Sequence, residues 1–228
     1  AGCQVIQKKN YEITLDQEHY VNQWVEEIEV DPKRNPTAEL TKHEISLIRG
    51  ALGTTSWRAT QSAPQFLADT SLLLSEVNRG SVATMHKVNK LVREMKRTAG
   101  QKLIFPAWNI DLDELSVITW ADASNHNRPD RSSSIGIVTG VAPRYIMDGQ
   151  EAQVAIVQWK SGKTPRQCLG SNGAEVQAIT IGEDQNFQIR GLLYELKGNQ
   201  LDRAQLHQQI ATVPGALIMD SRGVFDAA

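Results

Sequence analysis

Cysteine is scarce in this chain. There are two in 228 residues, Cys3 and Cys168, far apart and outside any CxxC or Cys/His spacing. That argues against a zinc site, gives no disulfide framework, and fits a reducing compartment. No apolar run approaches the ~20 residues that a membrane-spanning helix needs. A strong charge of either sign is missing too. The formal net charge is -2, so any surface for a polyanion has to be a local patch and not a global field. There is no internal repeat and no low-complexity tract, and "GIVTG" has no phosphate-loop spacing. The N-terminal "AGCQVIQKKNYEI" reads as strand, turn and strand, not as a signal peptide. With 40% hydrophobic and 22% charged residues, what remains is an ordinary globular composition, enough for one large domain or two modest ones.

The chain has two rhythms. Residues 16–98 are helical in period. "LDQEHYVNQWVEEIEV" opens with Asp16 as an N-cap and carries Tyr20, Val21, Trp24, Val25 and Ile28 at helical spacing. After the proline-marked loop "DPKRNPTAEL", "TKHEISLIRGALGTTSW" puts Ile45, Ile48 and Leu52 on one face, with Gly50 and Gly53 read as close-packing positions. "SAPQFLADTSLLLSEVN" places Pro64 at a first helical turn. "SVATMHKVNKLVREMKRTAG" buries Met85, Val88, Val92 and Met95 and stops at Gly100. Its Lys87, Lys90, Arg93 and Arg97 lie off that stripe, either as a solvated face or as contacts to nucleic-acid phosphates.

Beyond Gly100 the runs shorten. "KLIFPAW", "LSVITWA", "SSIGIVTGVAP" and "AQVAIVQW" read as strands. "NGAEVQAITIGEDQNFQIRGLLYELKG" returns to helical spacing through Val176, Ile179, Phe187, Ile189 and Leu192, and "ALIMD" is a short buried strand. Three sequential strands, a helix and a further strand predict an α/β sheet with antiparallel and parallel parts.

Acids stand at the punctuation of this second half. Asp122 ends "LSVITWAD", Glu175 opens the long helix, and Asp220 ends "ALIMD". If the first and fourth strands are neighbours, Asp122 and Asp220 project side by side and Glu175 leans in from the helix. Converging carboxylates repel one another unless cations lie between them, and all-oxygen ligands of this kind suit Mg2+ or Mn2+. Taken singly, each acid serves equally well as a turn or cap residue.

The wording around these acids is more specific. "WADASNHNRPDRSSSIGIVTG", "VQWKSGKTPRQCLGSNGAEVQAI" and "LIMDSRG" together resemble the ribonuclease H domain of copia-type LTR retrotransposons. Upstream, "AGCQVIQKKNYEITLDQEHYV" looks like the hairpin and helix after a polymerase palm. "EISLIRGALGTTSWRATQSAPQFLADTSLLLS" resembles the thumb and connection segment. The resemblance covers nearly the whole chain. It implies an α/β fold, a ribonuclease H-like mixed sheet truncated at its C-terminus, preceded by a mostly helical thumb/connection segment. The boundaries would be 1–100 and 101–228, a fragment of a longer Pol polyprotein. It also implies cleavage of the RNA strand of an RNA–DNA hybrid with two Mg2+ (or Mn2+) ions. Asp122 would bridge both ions, Glu175 would serve one ion and the substrate hydroxyl, and Asp220 would hold the ion that activates water. The setting implied is intracellular, in a cytoplasmic particle or the nucleus, with the rest of the polyprotein as partner and no membrane.

The chain departs from the family's pattern in places. It has "QSAPQF" where an Arg-Pro-Asp phrase is usual, and Gly173 and Ala174 where serine and an additional acid often stand. A fourth acid is expected beyond residue 228, with Asp226 a possible substitute. The polymerase's Tyr-x-Asp-Asp is missing from the sequence, so polymerase chemistry does not reside in these residues. The competing reading is a catalytically silent nucleic-acid-binding or connection module. Of the other candidates, His126 is either a proton carrier or a solvated loop residue. Ser124 and Ser171 lack a Ser–His–acid arrangement. Lys160 and Lys163 are positioned for phosphate contacts, and Trp57, Trp108 and Trp120 read as core.

Overall fold

In the computed structural model, which describes residues 2–221, the chain folds as mixed α/β in two compact units. One takes in Thr14–Leu103 together with Arg128–Arg131 and the N-terminal strand. The other takes in Lys8–Ile13, Ile104–Asn127 and the chain from Ser132 onward. At the N-terminus β1 (Gln4–Gln7) and β2 (Ile13–Asp16) are neighbours in a small sheet, as the strand–turn–strand reading expects.

The helical unit consists of α1 (Glu18–Trp24), α2 (Lys42–Gln61), α3 (Leu67–Glu76) and α4 (Val82–Arg97). α2 begins with a capping box. The Glu44 amide donates to Thr41 Oγ1 at 3.2 Å, and the Glu44 carboxylate accepts from the Thr41 amide at 2.8 Å. Pro64 opens a short 3-10 turn that leads into α3. Met85, Val88, Val92 and Met95 are buried along α4 as its spacing requires, against Ile48 and Leu52 of α2 and Val21 of α1.

Four local expectations are corrected. α1 stops at Trp24 instead of running to Val30, because Asn89 of α4 claims the backbone beyond it. The Ile28 amide donates to Asn89 Oδ1 at 2.8 Å, and Asn89 Nδ2 donates to the Ile28 carbonyl at 2.7 Å. Asp16 is the last residue of β2 and not the cap position; its carboxylate still accepts from the Glu18 amide, and it pairs with Lys102 at 3.2 Å. A Cβ on Gly50 or Gly53 would meet nothing within 4 Å, so close packing is not what those glycines serve. α4 ends at Arg97 with Thr98 as its C-cap, whose amide and hydroxyl both donate to the Glu94 carbonyl, so Gly100 is not where it stops.

The second unit is built on β4 (Leu115–Ser124), β5 (Ser134–Pro143), β6 (Ala155–Lys163) and β7 (Gly215–Ile218), which follow β3 (Leu103–Phe105). Their order is β6-β5-β4-β7. β4–β5 and β5–β6 are antiparallel, and β4–β7 is parallel. The first and fourth strands of this sheet are therefore neighbours. α5 (Ser171–Leu196) packs across β4, β5 and β7, and α6 (Leu206–Ala211) leads back to β7. The face that α5 buries is small and polar: Ala174, Ala178, Gly182, Gln185 and Asn186, then Leu193. Val176 and Leu192, expected on the working stripe, are 48% and 52% exposed. Gly182 is needed for this close approach, since a Cβ there would stand 3.0 Å from Leu217 and 3.1 Å from Ala121.

Candidate metal centre

Asp122 lies inside β4, which continues to Ser124, and so is not at a strand end as its sequence context suggested. It is held by the antiparallel ladder to β5, where it opposes Gly136, and lies two residues beyond the last pair of the β4–β7 ladder. Its Oδ1 accepts from the Ala123 amide at 2.8 Å. Glu175 is in the first turns of α5, and Asp220 lies two residues past β7. These three elements bring one carboxylate oxygen from each residue to within 4.8 Å of one another.

The electrostatics of the cluster are unfavourable as it stands. Burial, first, and then the charges of Asp122 and Asp220 push the Glu175 carboxyl above its usual value, while the Ala123 amide pulls it partly back. Glu175 Oε2 is buried with no hydrogen-bond partner. A buried oxygen of this kind costs about 1–3 kcal/mol until something satisfies it. A hard divalent cation would satisfy it and cancel the repulsion at once, so the donor set fits Mg2+ or Mn2+. Asp226 lies outside the described residues.

The loops around β4 and the start of α5 are ordered by polar side chains, of which Gln177 has no signal in the sequence. Gln177 donates to Cys168 Sγ at 2.8 Å and accepts from the Arg166 amide at 2.8 Å, which ties the loop before α5 to its first turns. His126 has a positive φ of 52°, and its Nε2 lies 3.1 Å from the Cys168 carbonyl. That contact requires Nε2 to carry the proton, so His126 is a loop anchor and not a freely solvated residue. The Ser133 hydroxyl donates to Asn125 Oδ1 and accepts from the His126 amide.

The remaining candidates separate. Lys160 and Lys163 are exposed on β6, an edge strand two places from β4. On α4, Lys87 pairs with Glu76 at 2.8 Å, Arg93 with Glu27 at 2.6 Å and Arg97 with Glu94 at 2.5 Å, so three of the four cations are already matched by acids. Trp57 is 41% exposed and so is not core; Trp108 and Trp120 are half-buried. A cleft of about 550 Å³ lies in the helical unit between Trp24, Glu26, Glu29, Leu47 and Gly50, apart from the three acids. No helix among the described residues is long and apolar enough to cross a membrane.

An acidic, cation-competent cluster on a mixed α/β sheet is the class of site defined by this geometry. Comparison with family models, curated proteins and solved structures finds no match to the chain.

Proposed function

We propose that the chain is a ribonuclease H-like nuclease segment of a copia-type retroelement, hydrolysing the RNA strand of an RNA–DNA hybrid. The observation that carries this reading is the convergence of Asp122, Glu175 and Asp220, with one Glu175 oxygen buried and unpartnered. These are the residues that the family phrases single out.

Two divalent cations held there would supply Lewis-acid stabilisation of the phosphodiester and a lowered pKa for the attacking water. Asp122, fixed by its pairing with β5 and by the Ala123 amide, presents an exposed carboxylate. Glu175 presents its buried oxygen from the helix side, and Asp220 closes the cluster from the segment after β7. The two exposed acids leave an open side for a scissile phosphate. Lys160 and Lys163, exposed on β6, are the cations we propose for contacts to backbone phosphates, with Lys163 on the same face of the sheet as Asp122. Choice of the RNA strand rests on its 2′-hydroxyl, which the DNA strand lacks. The rest of a Pol polyprotein is the proposed partner.

The test is a labelled RNA–DNA hybrid incubated with protein and Mg2+. The expected result is cleavage confined to the RNA strand and abolished by Asp122→Asn. No cleavage in the parent chain selects the silent nucleic-acid-binding reading instead, and cleavage that survives Asp122→Asn rules out the assigned site.

A further inference from the structure

We propose that Asn186 and Arg190, on the sheet-facing side of α5, are positioning residues that lock the register of β7 on β4 and so set where Asp220 meets Asp122 and Glu175. The inference rests on the metal-centre reading above.

β7 is a weakly specified strand. It has four residues and, among the described residues, lies at the sheet edge and pairs only with β4. Its sequence, Gly-Ala-Leu-Ile, is apolar at every position, so no alternation of polar and apolar side chains penalises a slip. The register nevertheless decides the site. Val117 pairs with Gly215 and Trp120 with Ile218, and Asp122 and Asp220 each lie two residues beyond that last pair. A one-residue slip would carry Asp220 about 3.3 Å along the strand and reverse the face of each side chain. A cluster whose oxygens lie within 4.8 Å of one another does not survive that displacement.

α5 supplies the discrimination that the strand lacks. Asn186 is 1% exposed, and its amide nitrogen bridges the two strands. It donates to the Val117 carbonyl at 3.3 Å and Thr119 Oγ1 at 3.1 Å on β4, and to the Ala216 carbonyl at 3.2 Å on β7. Arg190, one helical turn on, fixes the lead into the strand. Its Nε donates to the Val213 carbonyl at 2.8 Å and its Nη2 to the Ile210 carbonyl at 3.1 Å.

The same two side chains also act sterically. A Cβ at Gly215 would lie 2.6 Å from Arg190 Cδ and 2.7 Å from Asn186 Oδ1. Only glycine fits there, and a slip in either direction would present Pro214 or Ala216 to the gap. The register is therefore selected twice, by hydrogen bonds to carbonyls on both strands and by a space that admits one residue.

The experiment is Mn2+ titration of the full chain by calorimetry, with amide hydrogen exchange across residues 215–218. Asn186→Leu keeps the volume and removes the donors, and Gly215→Ala challenges the gap with the lock intact. Leu193→Ala, an apolar truncation on the same helix, controls for general destabilisation. Both lock variants are expected to bind Mn2+ about tenfold more weakly or worse and to lose protection in β7, while Leu193→Ala keeps its Mn2+ affinity. Unchanged Mn2+ affinity in Asn186→Leu and Gly215→Ala overturns the proposal, as does an equal loss in Leu193→Ala. If Asn186→Leu does not fold, Gly215→Ala decides alone. If the parent chain takes up no Mn2+, the metal-centre reading fails. The lock is then judged by β7 protection, which must fall in the lock variants and not in the control.

Discussion

Two buried side chains show how differently a polar group can be accommodated. Arg58 is 1% exposed; it donates to the Thr98 carbonyl at 2.5 Å and to the Met95 carbonyl, and lies 5.6 Å from the Phe66 ring centroid. Its charge faces the C-terminal carbonyls of α4, where a helix end carries partial negative charge. Burial pulls its pKa down, and the charge is retained through those acceptors. Arg58→Met is expected to destabilise the helical unit by about 2–4 kcal/mol, read as a lower urea midpoint. Glu175 is the opposite case, a partly buried acid with an oxygen left unpaired and two acids beside it. Glu175→Gln removes the repulsion, so the metal-free protein should gain thermal stability while Mn2+ affinity falls about tenfold or more. A stability loss in the metal-free variant would mean the carboxylate is satisfied by something else. The role of Arg58 is not legible in sequence. Arg58 reads as one more cation on a helix, and its burial depends on Met95 and Thr98, some 40 positions away.

Elements are better specified than the contacts between them. α2 starts at a capping box of Thr41 and Glu44, and Thr41→Ala should cost about 1 kcal/mol in a denaturant titration. Arg34, foremost, and the Thr41 amide hold the Glu44 carboxyl at about 2, below its ordinary 4.5. A depressed acid contributes stability that is fully present above 4.5 and lost as pH falls through that value toward about 2. Urea midpoints measured down this range should slope less steeply in Glu44→Gln than in the parent chain. α1, whose length the periodicity overstates, is cut short by Asn89, which offers the Ile28 backbone a better pair of hydrogen bonds than another helical turn would. Asn89→Leu should release that backbone and raise exchange at the Ile28 amide. α5 shows the complementary limit. Its period is plain, yet its buried face is chosen by how near a helix can lie to β4 and β7, which favours Ala178 and Gly182 over Val176.

At the scale of the whole molecule, Asp122, Glu175 and Asp220 come from three elements spread over about a hundred residues, so cation binding is coupled to the tertiary fold. Mn2+ at about 100 times its dissociation constant should stabilise the folded chain by about 2.7 kcal/mol. The gain in amide protection should centre on β4, β7 and the start of α5, and Asp122→Asn should abolish it. The alternation of helices and strands, the amphipathic face of α4 and the three acids worth watching are all written in the sequence. Those features are local: a period or a family phrase is written within a dozen neighbouring residues. Folding was needed to put Asp122 within a strand, to tie His126 to the Cys168 carbonyl, and to bring Asn186 and Arg190 against Gly215 of β7. Each of these depends on a partner far off in the chain, where spacing along the sequence carries no record of distance in space.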